Sequence, residues 1–96
     1  MSQKFGLIIP NYNHPNAMEK TLQRLEQFKL PCLIIDDGSN RNTQDILQQL
    51  AEKHDWVDYH RHNENQGKGA AVMTGFRLAY ERGISHAIQV DADGQH

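Results

Sequence analysis

One cysteine cannot form an internal disulfide, and Cys32 is the only one among the 96 residues. A disulfide-stapled secreted domain is therefore excluded, and a lone thiol suits a reducing cytoplasm. Cys32 follows Pro31 at the head of an apolar run, so it reads as a buried, inert thiol. No stretch approaches the roughly 20 apolar residues of a membrane span, so a membrane role is expected to need further sequence or a partner. Basic residues are also scarce. The formal net charge is −2 and lysines and arginines form no cluster, so no nucleic-acid footprint is expected. Internal repeats and low-complexity tracts are missing as well. What remains, 38% hydrophobic and 23% charged residues, is the composition of an ordinary globular chain. At this length it makes one small domain with a shallow core.

The apolar residues fall into short runs separated by helical periodicity. Phe5-Gly6-Leu7-Ile8-Ile9 reads as a first strand ended by Pro10. Pro15 suits a helix start, Asn16 and Glu19 form a candidate capping box, and Met18, Leu22, Leu25 and Phe28 share one face. Leu33-Ile34-Ile35 is a second strand that ends at Asp36-Asp37-Gly38-Ser39. A helix from about Thr43 to Lys53 turns Ile46, Leu47, Leu50 and Ala51 inward. Trp56 to His60 alternates, as a strand near a sheet edge does. Gly67-Lys68-Gly69 introduces a third helix with Ala71, Val72, Phe76, Ala79 and Tyr80 toward a sheet, stopped at Gly83. His86 to Val90 is the fourth strand.

Strands alternating with helices of this length predict a Rossmann-like α/β fold, a mainly parallel sheet with helices on both faces. Right-handed crossovers predict the strand order 3-2-1-4, with strands 1 and 4 adjacent where the winding reverses. Ligands of such sheets bind at the carboxyl ends of the strands near that reversal. The polar features of this chain collect there: Pro10-Asn11-Tyr12-Asn13, Asp36-Asp37, and Asp91-Ala92-Asp93.

Each of these has a plain structural reading beside the functional one. Asp36 and Asp37 can form a polar turn, with Ser39 or Asn40 capping the next helix. Their place on the shared rim favours ligand contact instead, through a ribose hydroxyl or a base N–H, with Asp37 the better candidate. Tyr12 either packs as a half-buried aromatic or stacks on a nucleobase, and both readings stay open. Asn65-Gln66-Gly67-Lys68-Gly69 matches neither a Walker A loop nor G-x-G-x-x-G. It is either a flexible turn or a helix N-terminus whose lysine favours anionic oxygens. Asp91 and Asp93, one residue apart after a strand, suit a hard cation such as Mg²⁺ or Mn²⁺ bridging a diphosphate, with Gln95 as a neutral oxygen ligand. The histidines, His60 and His62 among them, lack a third zinc ligand and read as solvated; His96 is a further candidate for contact with a phosphate or acceptor.

Four blocks, in order, now carry a resemblance. Ile8-Ile9-Pro10-Asn11-Tyr12-Asn13, Ile35-Asp36-Asp37-Gly38-Ser39, Asn65-Gln66-Gly67-Lys68-Gly69-Ala70 and Asp91-Ala92-Asp93-Gly94-Gln95-His96 resemble family 2 glycosyltransferases of the GT-A fold. The nearest likeness is to dolichyl- or polyprenyl-phosphate mannosyl and glucosyl synthases. The resemblance implies that residues 1–96 are the nucleotide-sugar-binding part of such a domain. Pro10 and Tyr12 would line the base pocket, Asp37 would contact base or ribose, and Lys68 would lie near the phosphates or ribose. Asp91, Asp93 and Gln95 would hold Mg²⁺ or Mn²⁺ against the diphosphate of a UDP- or GDP-sugar, Asp91 thereby also contacting the nucleotide. Transfer would proceed with inversion to a lipid-phosphate or saccharide acceptor, for example a polyprenyl phosphate at the cytoplasmic face of a membrane. No catalytic base falls within these residues, so the chain alone is expected to bind nucleotide without transferring sugar. A sugar-phosphate nucleotidyltransferase is a weaker match, because Pro10-Asn11-Tyr12-Asn13-His14-Pro15 stands where that class has a Gly-rich basic loop. A non-catalytic nucleotide-binding or assembly module is the other alternative. An open fourth strand is also expected to favour self-association.

Overall fold

The computed structural model describes residues 3–92. Four parallel strands, β1 (Phe5–Asn11), β2 (Cys32–Asp36), β3 (Val57–Arg61) and β4 (His86–Gln89), form one sheet in the order β3-β2-β1-β4. Helices α1 (Met18–Leu25), α2 (Arg41–Lys53) and α3 (Lys68–Glu81) connect them. The architecture and strand order are those expected from the alternation of elements. The first two crossovers step one way across the sheet and the third steps back, so a common right hand puts α3 on the opposite face from α1 and α2.

Strand periodicity sorts the core into two layers. Leu7, Ile9, Cys32, Ile34 and Val57 meet Met18, Leu22, Leu47 and Leu50 on one face. Ile8, Leu33 and Ile35 meet Ala71 and Ala79 on the other. Small residues let α3 approach closely. A Cβ added at Gly75 would lie 2.4 Å from Cγ2 of Ile8, so the helix backbone itself rests on the sheet.

That close approach corrects one expectation. Phe76 is 38% exposed and Tyr80 81% exposed, because Ala71, Gly75 and Ala79 claim the sheet-facing stripe. An apolar ring has no room there.

The start of α1 differs from expectation too. Ala17, not Asn16, is the N-cap; it carries no side-chain cap, and Glu19 pairs with Lys53 instead at 3.2 Å. Phe28 is 57% exposed because α1 ends at Leu25 and a tighter 3-10 turn rotates it off the apolar face. Pro10 does not end β1, which continues to Asn11. Leu7 and Asn11 bond toward β2 and Ile8 toward β4, so the missing N–H of Pro10 falls on the β4 side, where pairing stops at Gln89. The second helix starts at Arg41 because Asn40 accepts a hydrogen bond from Thr43 N and caps it. Among the described residues, no helix is long and apolar enough to cross a membrane.

Cys32 is buried, and burial with the nearby Asp58 carboxylate pushes its thiol up to about 12. Only thiolate attacks alkylating agents, so at pH 8 roughly one molecule in ten thousand is reactive. Native chain is expected to resist iodoacetamide for hours and to label fully in urea, as read by mass spectrometry. Rapid native labelling would contradict the burial of β2.

Candidate functional site

The alternation of β2 gives its two terminal aspartates different surroundings. Asp36 points with Ile34 to the α1–α2 face, where it is fully buried. Its Oδ1 accepts from Ser39 N at 2.9 Å, and its Oδ2 accepts from the hydroxyl of Tyr59. Burial and this bond push the Tyr59 phenol well above its usual value. Asp36 thus braces the turn after β2.

Asp37 continues the alternation on the α3 side, beside a cavity, and is 2% exposed. Its Oδ1 accepts from Gln66 N at 2.9 Å and lies 2.8 Å from His62 Nδ1. Its Oδ2 accepts from Gly67 N at 2.8 Å and Asn65 Nδ2 at 3.0 Å. Those contacts use about the full acceptor capacity of a carboxylate. Asp37 therefore holds the segment that precedes α3, and caps that helix from another part of the chain.

Gly38 makes the approach possible. Its φ of +75° is left-handed, and an added Cβ would sit 2.4 Å from both Asn65 N and Glu64 C. Opposite, Asn11 ends β1 with a local turn: its Oδ1 accepts from His14 N and its Nδ2 donates to His14 O. That turn presents Tyr12, which is 45% exposed.

Between these pieces lies a cavity of about 280 Å³ at the carboxyl ends of β1, β2 and β4. Pro10, Tyr12, Asp37, Lys68 and Asp91 all line it, so the five residues singled out in the sequence for nucleotide contact come together on one rim. Lys68 Nζ lies 3.0 Å from Asp91 Oδ1, which also accepts from Gln89 Nε2 at 3.0 Å. Those two donors, Gln89 first, hold the Asp91 carboxyl below its usual value, so it is ionised at neutral pH. An exposed, ionised carboxylate is the hard oxygen donor that Mg²⁺ or Mn²⁺ takes, and Asp91 is the one member of the expected set among the described residues, where no group of three or more acidic, histidine or cysteine side chains comes together. Asp93, Gln95 and His96 lie outside the described residues.

Four polar residues of the site, Asn11, His14, His62 and Asn65, were given no individual role from the sequence. Asn11 and His14 line the cavity, and no periodicity marks a turn asparagine as structural cement. His62, expected to be solvated, is instead 7% exposed, wedged between Asp37 and Thr74. The alternation of β3 had placed His60 and His62 on one face, and that is the face α3 covers. Burial holds the His60 imidazole below its usual value, aided by the neighbouring His62 ring and by the charges of Arg77 and Arg82.

Residues 7–96 match the family model described as Glycosyl transferase family 2. The chain belongs to that family. Among curated relatives, this family 2 chain is 35% identical to a UDP-N-acetylglucosamine–dolichyl-phosphate N-acetylglucosaminyltransferase of Methanococcus voltae, over 94% of the chain and 41% of the relative. It is 34% identical to an undecaprenyl-phosphate mannosyltransferase of Micrococcus luteus, over 93% of the chain and 37% of the relative. The family 2 chain thus spans about two-fifths of the length of these relatives. A solved mannosyltransferase of Pyrobaculum calidifontis, in complex with GDP-Man and Mn²⁺, superimposes with a TM-score of 0.76. At 22% identity, covering 97% of this chain and 28% of that one, the match establishes the shared fold.

Proposed function

We propose that this chain is the donor-binding part of an inverting glycosyltransferase that moves a hexose from a UDP- or GDP-sugar to a lipid-phosphate acceptor. The observation that carries the reading is the single cavity in which Pro10, Tyr12, Asp37, Lys68 and Asp91 meet. It sits at the point of the sheet where ligands of this fold bind. The names of the curated relatives, which include dolichyl- and undecaprenyl-phosphate transferases, support the acceptor class.

In this reading the exposed ring of Tyr12 stacks on the base, against the rigid Pro10. Asp37 keeps the 65–67 segment in place as the opposite wall, within reach of base and ribose. Lys68 supplies positive charge to the phosphates; its present partner is Asp91. Asp91, with Asp93 and Gln95, would hold Mg²⁺ or Mn²⁺. Such an ion, when bound, neutralises charge on the departing nucleoside diphosphate as a Lewis acid and template. Every residue named here binds or orients the donor, and none is offered as the base that activates the acceptor.

Calorimetric titration with UDP and with GDP, each with and without Mn²⁺, tests the reading. One nucleotide is expected to bind in a metal-dependent way, and Asp91→Asn is expected to lose the metal dependence. Binding of neither nucleotide, or equal affinity of parent and variant in Mn²⁺, would sink it.

A further inference from the structure

We propose that His62 is a positioning residue of the donor pocket, orienting the Asp37 carboxylate that holds residues 65–67. The inference rests on the donor-binding reading for its consequence, but on the geometry of His62 for its cause. His62 directly follows β3, and its N–H donates to Asp36 O at 2.9 Å, which extends the β3–β2 pairing by one residue. Its ring is buried with both nitrogens engaged: Nδ1 lies 2.8 Å from Asp37 Oδ1 and Nε2 lies 2.9 Å from Thr74 Oγ1. An ionised carboxylate only accepts, so Nδ1 carries the hydrogen toward Asp37.

The far end of the ring is anchored on α3. Thr74 precedes Gly75, whose backbone is pressed against Ile8 and Ile35 of the sheet. The imidazole therefore ties Asp37 to the part of α3 whose backbone rests on the sheet. From there the hold passes on through Asp37 to Gln66 N, Gly67 N and Asn65 Nδ2. Asn65 and Lys68 form one wall of the cavity, so the ring sets a wall it does not itself line. An apolar residue would fill this space with no polar atom to satisfy. The two bonds made by His62 point to a role in direction rather than filling.

Two near-isosteric variants separate the bonds. In His62→Asn the amide nitrogen takes the place of Nδ1 and keeps the Asp37 contact. In His62→Gln it reaches the place of Nε2 and keeps only Thr74. With UDP and GDP as probes, each in Mn²⁺, His62→Asn is expected within about threefold of the parent affinity. His62→Gln is expected to bind at least about tenfold more weakly, the scale of one lost bond to a charged group. In parallel, amide hydrogen exchange at Gln66 and Gly67 should speed up in His62→Gln and not in His62→Asn. A role in packing alone would give both variants the same affinity and the same exchange, and that result overturns the proposal. If the parent binds neither nucleotide, the donor reading fails by itself, and the exchange pattern still decides whether His62 holds the segment through Asp37.

Discussion

Replacing Asp37 by alanine should cost about 3 kcal/mol of stability and abolish nucleotide binding together. The carboxylate is the shared acceptor for His62, Asn65, Gln66 N and Gly67 N, and it is 2% exposed. Its removal strands donors that were paired in the folded state, each at roughly 1–3 kcal/mol when water cannot replace the partner. Gln66 and Asn65 are exposed and recover part of the loss from solvent, which keeps the sum near the lower end. A small domain has little margin, since whole-domain stabilities are only about 5–15 kcal/mol. Asp37→Asn should recover little. One oxygen becomes an NH₂ group, and both positions already face donors, so donor meets donor wherever the amide turns. Urea denaturation of parent and both variants measures the cost. A variant within about 0.5 kcal/mol of the parent, a usual surface effect, would mean that Asp37 does not hold the 65–67 segment.

Gly38→Ala is the second large effect, expected at roughly 2–4 kcal/mol from two causes at one residue. The φ of +75° is left-handed, which an L side chain adopts at a cost of about 1–2 kcal/mol. The new Cβ would also lie 2.4 Å from Asn65 N and Glu64 C, both backbone atoms. No rotamer change relieves such an overlap, so residues 64–65 must shift, and the contacts made to Asp37 shift with them. Gly67→Ala is the control. Its φ of +103° is also positive, but nothing lies within 4 Å of the added Cβ, so it carries dihedral strain without overlap. Thermal or urea unfolding should therefore rank Gly38→Ala well below Gly67→Ala, with weakened nucleotide binding in the former. Equal losses would show that the close approach of the two loops contributes nothing.

Much of the molecule was legible without coordinates, and for definite reasons. Ile8-Ile9 and Leu33-Ile34-Ile35 are too apolar and too short for anything but buried strands, and the helical spacing of Leu47 and Leu50 is unambiguous. Given those elements, the single hand of crossover connections leaves few strand orders, and 3-2-1-4 is the one observed. Position on the rim followed as well, because Pro10 lies at the carboxyl end of β1 and Tyr12, Asp37 and Asp91 follow the ends of strands. Lys68 came from its glycine setting. The four ordered blocks pointed to the family.

What the chain alone determined, then, was period and order: which residues form strands, how the strands are wound, and which loops share an edge. Those properties depend on neighbours a few residues away and on a general rule of handedness. Tertiary structure alone decided which of two equivalent-looking residues does what. Asp36 and Asp37 differ by one step of a two-residue period, yet one braces Tyr59 and the other gathers a loop 28–30 residues further along the chain. Gly75 was preferred to Phe76 at the sheet by a clearance of a few ångströms, and His62 was buried because Asp37 and Thr74 converge on it from two other elements. Distances between segments remote in sequence set these outcomes, and no local pattern encodes them.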